Sequence, residues 1–411
     1  MTSASLIDGR SLMARLRDLS AIGVSAGGGV TRPAYSDADL EARALVREWM
    51  REIGMTVRVD TAGNTFARLN GGDPALPPIV IGSHTDTVPD GGRYDGALGV
   101  LAALEVARTI AASDARLNHP LEVVDFQNEE GGIVGSKAAV GRLDAAELSR
   151  IAVSGFSLRD GIRRLGGHPE RLAECVLAPG SRTAYVELHI EQGRVLERGS
   201  AHIGIVEGIV GIWYWEVTFD GVAQHAGTTP MPDRHDALLA AARFVDAVHD
   251  IVISVPGRHV GTVGHMAIHP GAANVIPGRV VATLELRDLA EVTVQKLYGM
   301  IESRAREIAR DTGTTVQLRP TTHVTPAPTH PLIRETIEQA ARGLGLETML
   351  LQSGAGHDAQ QMAAVCPSGM LFVPSVEGLS HTPRELTADE DCINGANVLL
   401  GVVGQLDARA V

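Results

Sequence analysis

Two short apolar runs frame a helix with almost no polar face. "PPIVIGSH", ending at His84, and "PLEVVDF", ending at Phe126, flank "GALGVLAALEVARTIAA". A helix that is apolar nearly all round must be buried. Short strands that follow one another through such a helix are the mark of a sheet with a parallel part. Upstream, "DADLEARALVREWMREIG" places Leu40, Ala44, Leu45 and Trp49 at helical spacing, with an Asp-rich start and Gly54 at its end. "MTVRVD" alternates with period two, and "GNTFARL" reads as a second strand after a turn. The expected fold class is α/β, a mixed, partly parallel sheet flanked by helices.

After about Gly208 the texture changes. "IWYWEVTFDG", helix-like "DALLAAARFVDAVHDIV", strand-like "HVGTVGHMAI" and "GRVVATLELRD", and helix-like "VQKLYGMIESRAREIARDTG" follow in turn. Strand, helix, two strands, helix, strand is a compact α+β unit with an antiparallel sheet. "THVTPAPTHPL", with three prolines, reads as the exit linker. A chain of 411 residues is too long for one typical core. The expected organisation is one domain over residues 1–210 and 326–411, interrupted by an inserted domain over residues 211–325.

Composition excludes several classes of function. A net charge of −13 without any basic run argues against nucleic acid or an anionic membrane as partner. Cys175, Cys366 and Cys392 are far apart and form no C-x-x-C pair, so neither a disulfide framework nor a thiolate zinc site is suggested. "MTSASLIDGRSLMARL" has charges inside its apolar stretch, which is not the pattern of a secretory signal, and no run of about 18 apolar residues is present. A cytoplasmic location is expected.

Chemistry-bearing residues cluster just beyond the strands. His84 and Asp86 follow Val80 and Ile81. Asp95 lies between a glycine-rich loop and the buried helix. Glu129 and Glu130 stand side by side after "PLEVVDF". "YVELHIEQG" alternates strictly, which puts Glu187, His189 and Glu191 on one face and Val186, Leu188 and Ile190 on the other. His381 sits in a loop just before Pro383. Ligands of open α/β sheets bind outside the carboxyl ends of strands. Imidazoles and carboxylates without thiolates suit Zn²⁺, Mn²⁺ or Co²⁺. Taken singly, each residue has a plainer reading: a surface histidine, or a solvated pair of glutamates. Their order and context carry the signal.

The ordered series "GSHTDTVPDGGRYDGALGVL", "NEEG", "LHIEQG", "GVAQHAGTTPM", "SGAGHDA" and "GLSHTPRE" resembles the M20-type metallopeptidase clan. More narrowly it resembles the amidohydrolase branch of N-carbamoyl-L-amino-acid hydrolases, allantoate amidohydrolases and β-ureidopropionases. The likeness runs from about Gly29 to Thr387. The branch rests chiefly on "LHIEQG", where His189 stands in a ligand position that many peptidases of the clan fill with a carboxylate.

The resemblance implies a catalytic domain with two divalent metal ions and an inserted domain that serves as lid and dimer contact. Asp95 matches the bridging carboxylate. His84 and His189 would complete one metal site, Glu130 and His381 the other. Asp86 would hydrogen-bond the far nitrogen of His84 and fix its tautomer. Glu129 would be the general base that takes the proton from the attacking water. His225 resembles the donor that stabilises the charge building on the carbonyl oxygen; its plainer reading is a loop histidine capping a turn. Arg287 matches the position that grips the substrate carboxylate, and arginine suits that task; the alternative is a strand arginine paired with Glu285. Asn274 and Gln192 resemble amide contacts to the carboxylate and ureido groups, while His357 and Asp358 look wall-forming rather than ligating. "EEGGIVGSKAAVG" lacks the arginine and phenylalanine that often follow the glutamate pair, which leaves the acyl pocket open.

The implied function is metal-dependent hydrolysis of the ureido C–N bond of N-carbamoyl-L-amino acids, by a homodimer acting on a small ureido acid. Allantoate or another ureido acid is the alternative within the same chemistry. A clan peptidase and a metal-free binding relative are the remaining readings; the second is disfavoured because every ligand position and Glu129 are filled.

Overall fold

The computed structural model describes residues 6–113 and 116–409. The first five residues of the stretch read as lacking a secretory signal therefore lie outside the described residues. Among those described, no helix is long and apolar enough to cross a membrane. The chain divides into two compact units. One is made of residues up to Glu207 together with those from Thr329 onward, and the other is Gly208–Pro328.

The first unit is built on a mixed sheet. Its strands run in the order Thr56–Val59, Thr65–Leu69, Leu121–Phe126, Ile79–His84, Ala184–Ile190, Ser368–Val373 and Ile203–Ile209, with Thr348–Ser353 paired to the last. The four central strands, from Leu121–Phe126 to Ser368–Val373, are mutually parallel, and their neighbours at either side are antiparallel. Every residue of Ile79–His84, Leu121–Phe126, Ala184–Ile190 and Ser368–Val373 is buried. That burial explains why these runs read as near-continuous apolar stretches rather than alternating ones.

Helix Ala97–Ala111 packs into the core with strand residues Ile81, Val186 and Leu188 and with Leu399 and Val403 of helix Asp389–Ala408. Its approach to the sheet is close: a Cβ at Gly99 would lie 2.3 Å from the carbonyl oxygen of Leu188. Helix Asp37–Glu52 is present as expected, but its buried face is Asp39, Ala42, Arg43, Val46, Trp49 and Met50. Ala44, which the apolar spacing placed inside, is exposed. Asp39 and Arg43, one turn apart, occupy part of the buried face as an ion pair, while Leu45 packs at its margin.

The second unit is an antiparallel sheet in the order Thr315–Val324, Gly211–Asp220, Arg279–Asp288, Val260–His269. Helices Ala237–Ser254 and Glu291–Thr312 join Trp215, Val217, Phe219, Leu284 and Leu286 in its core. The proline-rich linker differs from expectation, because Thr322, His323 and Val324 prolong a strand paired with Gly211–Asp220. The ladder shifts register beside Pro320, which has no N–H to give it.

Candidate metal centre

The parallel strands end on one side, and the side chains gathered there come from the segments that follow them. His84 closes strand Ile79–His84, and His189 lies near the end of Ala184–Ile190. Asp95 precedes helix Ala97–Ala111 in a turn that Gly96 makes with φ 63°. A Cβ at Gly96 would meet the His84 ring at 2.3 Å, so glycine is required both for the turn and for the approach. Glu129 and Glu130 follow Leu121–Phe126. Asn128, at φ 52°, adopts the left-handed conformation that asparagine tolerates and turns the chain into the pair.

Asp95 is shared between two trios. Its Oδ1 lies 3.7 Å from Nε2 of His84 and 3.2 Å from Nε2 of His189. Its Oδ2 lies 3.3 Å from Nε2 of His381, which is itself 3.4 Å from Oε1 of Glu130. His84–Asp95–His189 and Asp95–Glu130–His381 each present ligand atoms within 4.8 Å of one another, the spacing a bound ion needs. Glu129 stands apart from Glu130, with its Oε2 3.6 Å from Nε2 of His84.

The imidazole tautomers suit a cation. Nδ1 of His84 lies 3.0 Å from the Asp86 carbonyl, and Nδ1 of His189 lies 2.9 Å from the Ile190 carbonyl. A carbonyl can only accept, so Nδ1 carries a proton in both rings, which leaves Nε2, on the Asp95 side, as the nitrogen a cation would take. Here the role expected of Asp86 is corrected. Its carboxylate oxygen is 3.9 Å from His84 Nδ1, and its backbone carbonyl orients the ring instead. The two carboxylate oxygens are used elsewhere, accepting the backbone N–H of Glu129 and of Glu130, each at 3.2 Å.

The electrostatics of the cluster call for positive charge. Burial pushes Glu129 well above the usual carboxylate range, and Asp358, Glu130, Asp86 and Asp95 push in the same direction. Glu130 is raised to about 8 by burial and Asp95, and Asp86 to about 7 by burial and Asp39. Burial would raise Asp95 too, but His189, His381 and His84 outweigh it and hold Asp95 well below its ordinary value. Burial lowers His84 to about 4. In His189 the pull of Asp95 overcomes burial and lifts the ring to about 9; the hydrogen bond to Asp95 lifts His381 to about 9. Four acidic side chains crowded beneath three imidazoles, with no thiolate among them, fit divalent cations of the Zn²⁺, Mn²⁺ or Co²⁺ kind.

Known proteins match this chain along most of its length. The model of peptidase family M20/M25/M40 matches residues 80–405. The chain belongs to that family. This M20 protein is 40% identical to an N-carbamoyl-L-amino acid amidohydrolase of Geobacillus stearothermophilus, over 98% of this chain and 99% of that one. It is 35% identical to a ureidoglycolate hydrolase of Oryza sativa subsp. japonica, over 99% of this chain and 87% of the other. Among solved structures it resembles an amidase of the hydantoinase/carbamoylase family from Burkholderia multivorans, with a TM-score of 0.91 and 38% identity over 99% of both chains.

Other residues of this M20 protein reach the centre unforeseen. Glu385 Oε1 accepts the backbone N–H of Tyr94 and of Asp95, at 2.8 and 3.1 Å. Ser380 Oγ lies 2.8 Å from both Glu385 Oε2 and Asp95 Oδ2, so the loop carrying His381 is tied to the turn carrying Asp95. The quoted stretch "GLSHTPRE" contains both residues, but nothing in its pattern tells a buried glutamate from a solvated one. Glu187, His189 and His357 form a third close trio. The oxygens of Glu187 already accept hydrogen bonds from Ser83, Tyr185 and the Ala359 N–H, and the His357 ring stands edge-on to His189 with centroids 4.5 Å apart. Glu191 does not share the face of Glu187 and His189 as the alternation suggested. It lies beyond the strand end, and its carboxylate caps helix Val195–Gly199 through the N–H groups of Val195 and Leu196.

The remaining predicted contacts divide between the units. Gln192, in the first, donates from Nε2 to Asp95 Oδ2. His225, Asn274 and Arg287 belong to the second. There the two-residue ladder of Gln224–His225 with Val275–Ile276 brings His225 and Asn274 together, and the Ala226 N–H donates to the Asn274 carbonyl at 2.9 Å. Both residues are exposed. Arg287 is half-buried on strand Arg279–Asp288 and forms an ion pair with Glu285, the alternative weighed for it.

Proposed function

We propose that this chain hydrolyses the ureido C–N bond of N-carbamoyl-L-amino acids, releasing the amino acid, carbon dioxide and ammonia, with two divalent cations (Zn²⁺, Mn²⁺ or Co²⁺) in each subunit. The observation that carries the reading is the division of Asp95, whose Oδ1 faces His84 and His189 while its Oδ2 faces His381, itself beside Glu130. The relatives named N-carbamoyl-L-amino acid amidohydrolase support the substrate class.

His84, Asp95 and His189 would hold one ion, and Asp95, Glu130 and His381 the other. The ions would polarise a poorly electrophilic ureido carbonyl and make water a strong nucleophile at neutral pH. Glu129, with its Oε2 3.6 Å from Nε2 of His84, takes the proton from the attacking water and delivers it to the leaving nitrogen. His225 donates to the carbonyl oxygen as negative charge builds there, with Asn274 beside it. Gln192 serves the ureido group. Arg287 receives the substrate carboxylate by exchanging Glu285 for it, which makes the gain a difference between two ion pairs.

The test is ammonia release by metal-loaded protein from carbamoyl amino acids, allantoate, ureidoglycolate and dipeptides. Preference for carbamoyl amino acids sustains the proposal. Preference for ureidoglycolate would favour the reading suggested by the Oryza sativa relative, and turnover of dipeptides alone would return the chain to the peptidases.

The second unit is proposed to join two copies. Its edge strand Val260–His269 is ten residues long, contains no Pro, Lys, Arg, Asp or Glu, and exposes Val260 and Ile268. Edge strands are ordinarily blunted by such residues; here only a bulge at Gly264 interrupts the ladder, and an edge without charges invites pairing. A symmetric dimer through this unit would satisfy it.

A further inference from the structure

Six consecutive residues, Asp125 to Glu130, are gripped by side chains that the proposed reaction does not use. Arg43 donates from its guanidinium to the Phe126 carbonyl at 2.8 Å and to the Asp125 carbonyl at 3.3 Å. The same group lies 2.8 Å from Asp39, 3.0 Å from the Asp125 carboxylate and 3.7 Å from Asp86. Tyr35 continues the grip where Arg43 stops: its hydroxyl donates to Gln127 Oε1 at 2.7 Å and accepts from Asn128 Nδ2 at 3.0 Å. Asp86 then takes the backbone N–H groups of Glu129 and Glu130. Asp39 unites the set, since its second oxygen accepts the Tyr35 N–H at 2.7 Å.

All of this is buried: Arg43, Asp39, Asp86, Asp125 and Tyr35 are 0% exposed. A lone guanidinium in such a place would be costly, and its planar fork is what lets one side chain meet three carboxylates and two carbonyls at once. Tyr35 is itself held at φ 71°, a conformation that a bulky side chain rarely adopts and that persists only where the surroundings impose it. Its ring lies against Gly161, where a Cβ would come within 2.3 Å of it. The part of the grip made by Arg43 and Tyr35 ends at Asn128, the turn from which Glu129 reaches toward His84 and Glu130 toward His381.

We infer that Arg43 and Tyr35 are positioning residues that set the aim of Glu129 by clamping residues 125–128 and the Asp86 carboxylate beneath it. Neither touches substrate. The inference rests on Glu129 being the base. What it adds is that the direction of that base is decided from helix Asp37–Glu52 and the turn before it, with Arg43 facing the same Asp86 oxygen that accepts the Glu129 amide.

The experiment compares Tyr35→Phe, Arg43→Lys and Glu129→Gln with wild type in kcat, KM, metal content by elemental analysis and melting temperature. Tyr35→Phe should keep wild-type metal content and KM while kcat falls about 10–100-fold, the scale on which a small misplacement of a catalytic group acts. Arg43→Lys keeps the charge but not the fork, so it should stay near the wild-type melting temperature while its kcat falls. If Arg43→Lys does not fold, Tyr35→Phe decides alone. Wild-type kcat in Tyr35→Phe, or a kcat loss matched by metal loss, overturns the inference. Full activity in Glu129→Gln would instead remove the assignment of the base. Inactive Glu129→Gln beside fully active Tyr35→Phe and Arg43→Lys removes the positioning role only.

Discussion

The side-chain amide of Gln192 donates to Oδ2 of Asp95 at 2.6 Å, the same oxygen that faces His381. A residue expected to read the substrate is thus engaged with the shared carboxylate. Hydrogen bonds of this kind orient ligands, and losing them typically costs 10–100-fold in metal affinity. Gln192→Leu should therefore weaken metal binding by about tenfold, measured by equilibrium dialysis. A rise in KM with unchanged metal affinity would restrict Gln192 to substrate recognition.

Asp95→Asn should lower metal content at both sites together, because both trios draw on that carboxylate. Chelation of wild type should abolish turnover, and Mn²⁺, Co²⁺ or Zn²⁺ should restore it. Full activity in rigorously metal-free protein would end the two-metal reading.

Glu129→Gln and Glu130→Gln should fail differently. The first is expected to keep its metal and to lose roughly 10²–10⁴ in kcat, the usual contribution of a positioned base. The second should lose one metal equivalent. An exchange of these outcomes in elemental analysis and steady-state kinetics would mean that the two glutamates have each other's roles.

Arg287→Lys and Arg287→Ala test the carboxylate grip. Charged hydrogen bonds are worth about 1.5–3 kcal/mol each, so kcat/KM on a carbamoyl amino acid should fall at least about tenfold. Most of the loss should lie in KM, since the carboxylate is bound in ground and transition states alike. Wild type that handles the carboxamide as well as the acid would leave Arg287 as the strand partner of Glu285.

Ile268→Lys places a charge on the uncharged edge strand Val260–His269. In a symmetric dimer paired at that edge it brings like charges near one another, and sedimentation should show dissociation. A wild-type monomer would remove the dimer proposal.

Legibility in the sequence followed the physics of each feature. Strands Ile79–His84 and Leu121–Phe126 were readable because burial on both faces leaves a continuous apolar run. The candidate ligand residues that the structure gathers were readable because they stand in order at the mouths of such runs. Arg43 was not, because an Asp and an Arg four apart on a helix look the same whether they are solvated or sealed beneath a sheet. Asp86 illustrates the same limit. A sequence shows that a carboxylate lies near His84, but whether its side chain or its carbonyl meets the ring depends on where the Glu129 and Glu130 amides come to rest. Glu385 is joined to the Asp95 turn across some 290 residues of chain, a distance over which no local pattern operates.

The two trios also differ in their access to water. His84 and His189 have side chains 1% exposed, whereas His381 is 48% exposed, on a loop and at φ 56°. Ions held at the two places would therefore leave at different rates: the one at Glu130 and His381 quickly, the one at His84 and His189 only when the interior opens. Brief dialysis against a second metal should then yield a chain carrying two different ions in a defined arrangement. The history of metal exposure, and not only the metal present in the assay, would set the activity observed.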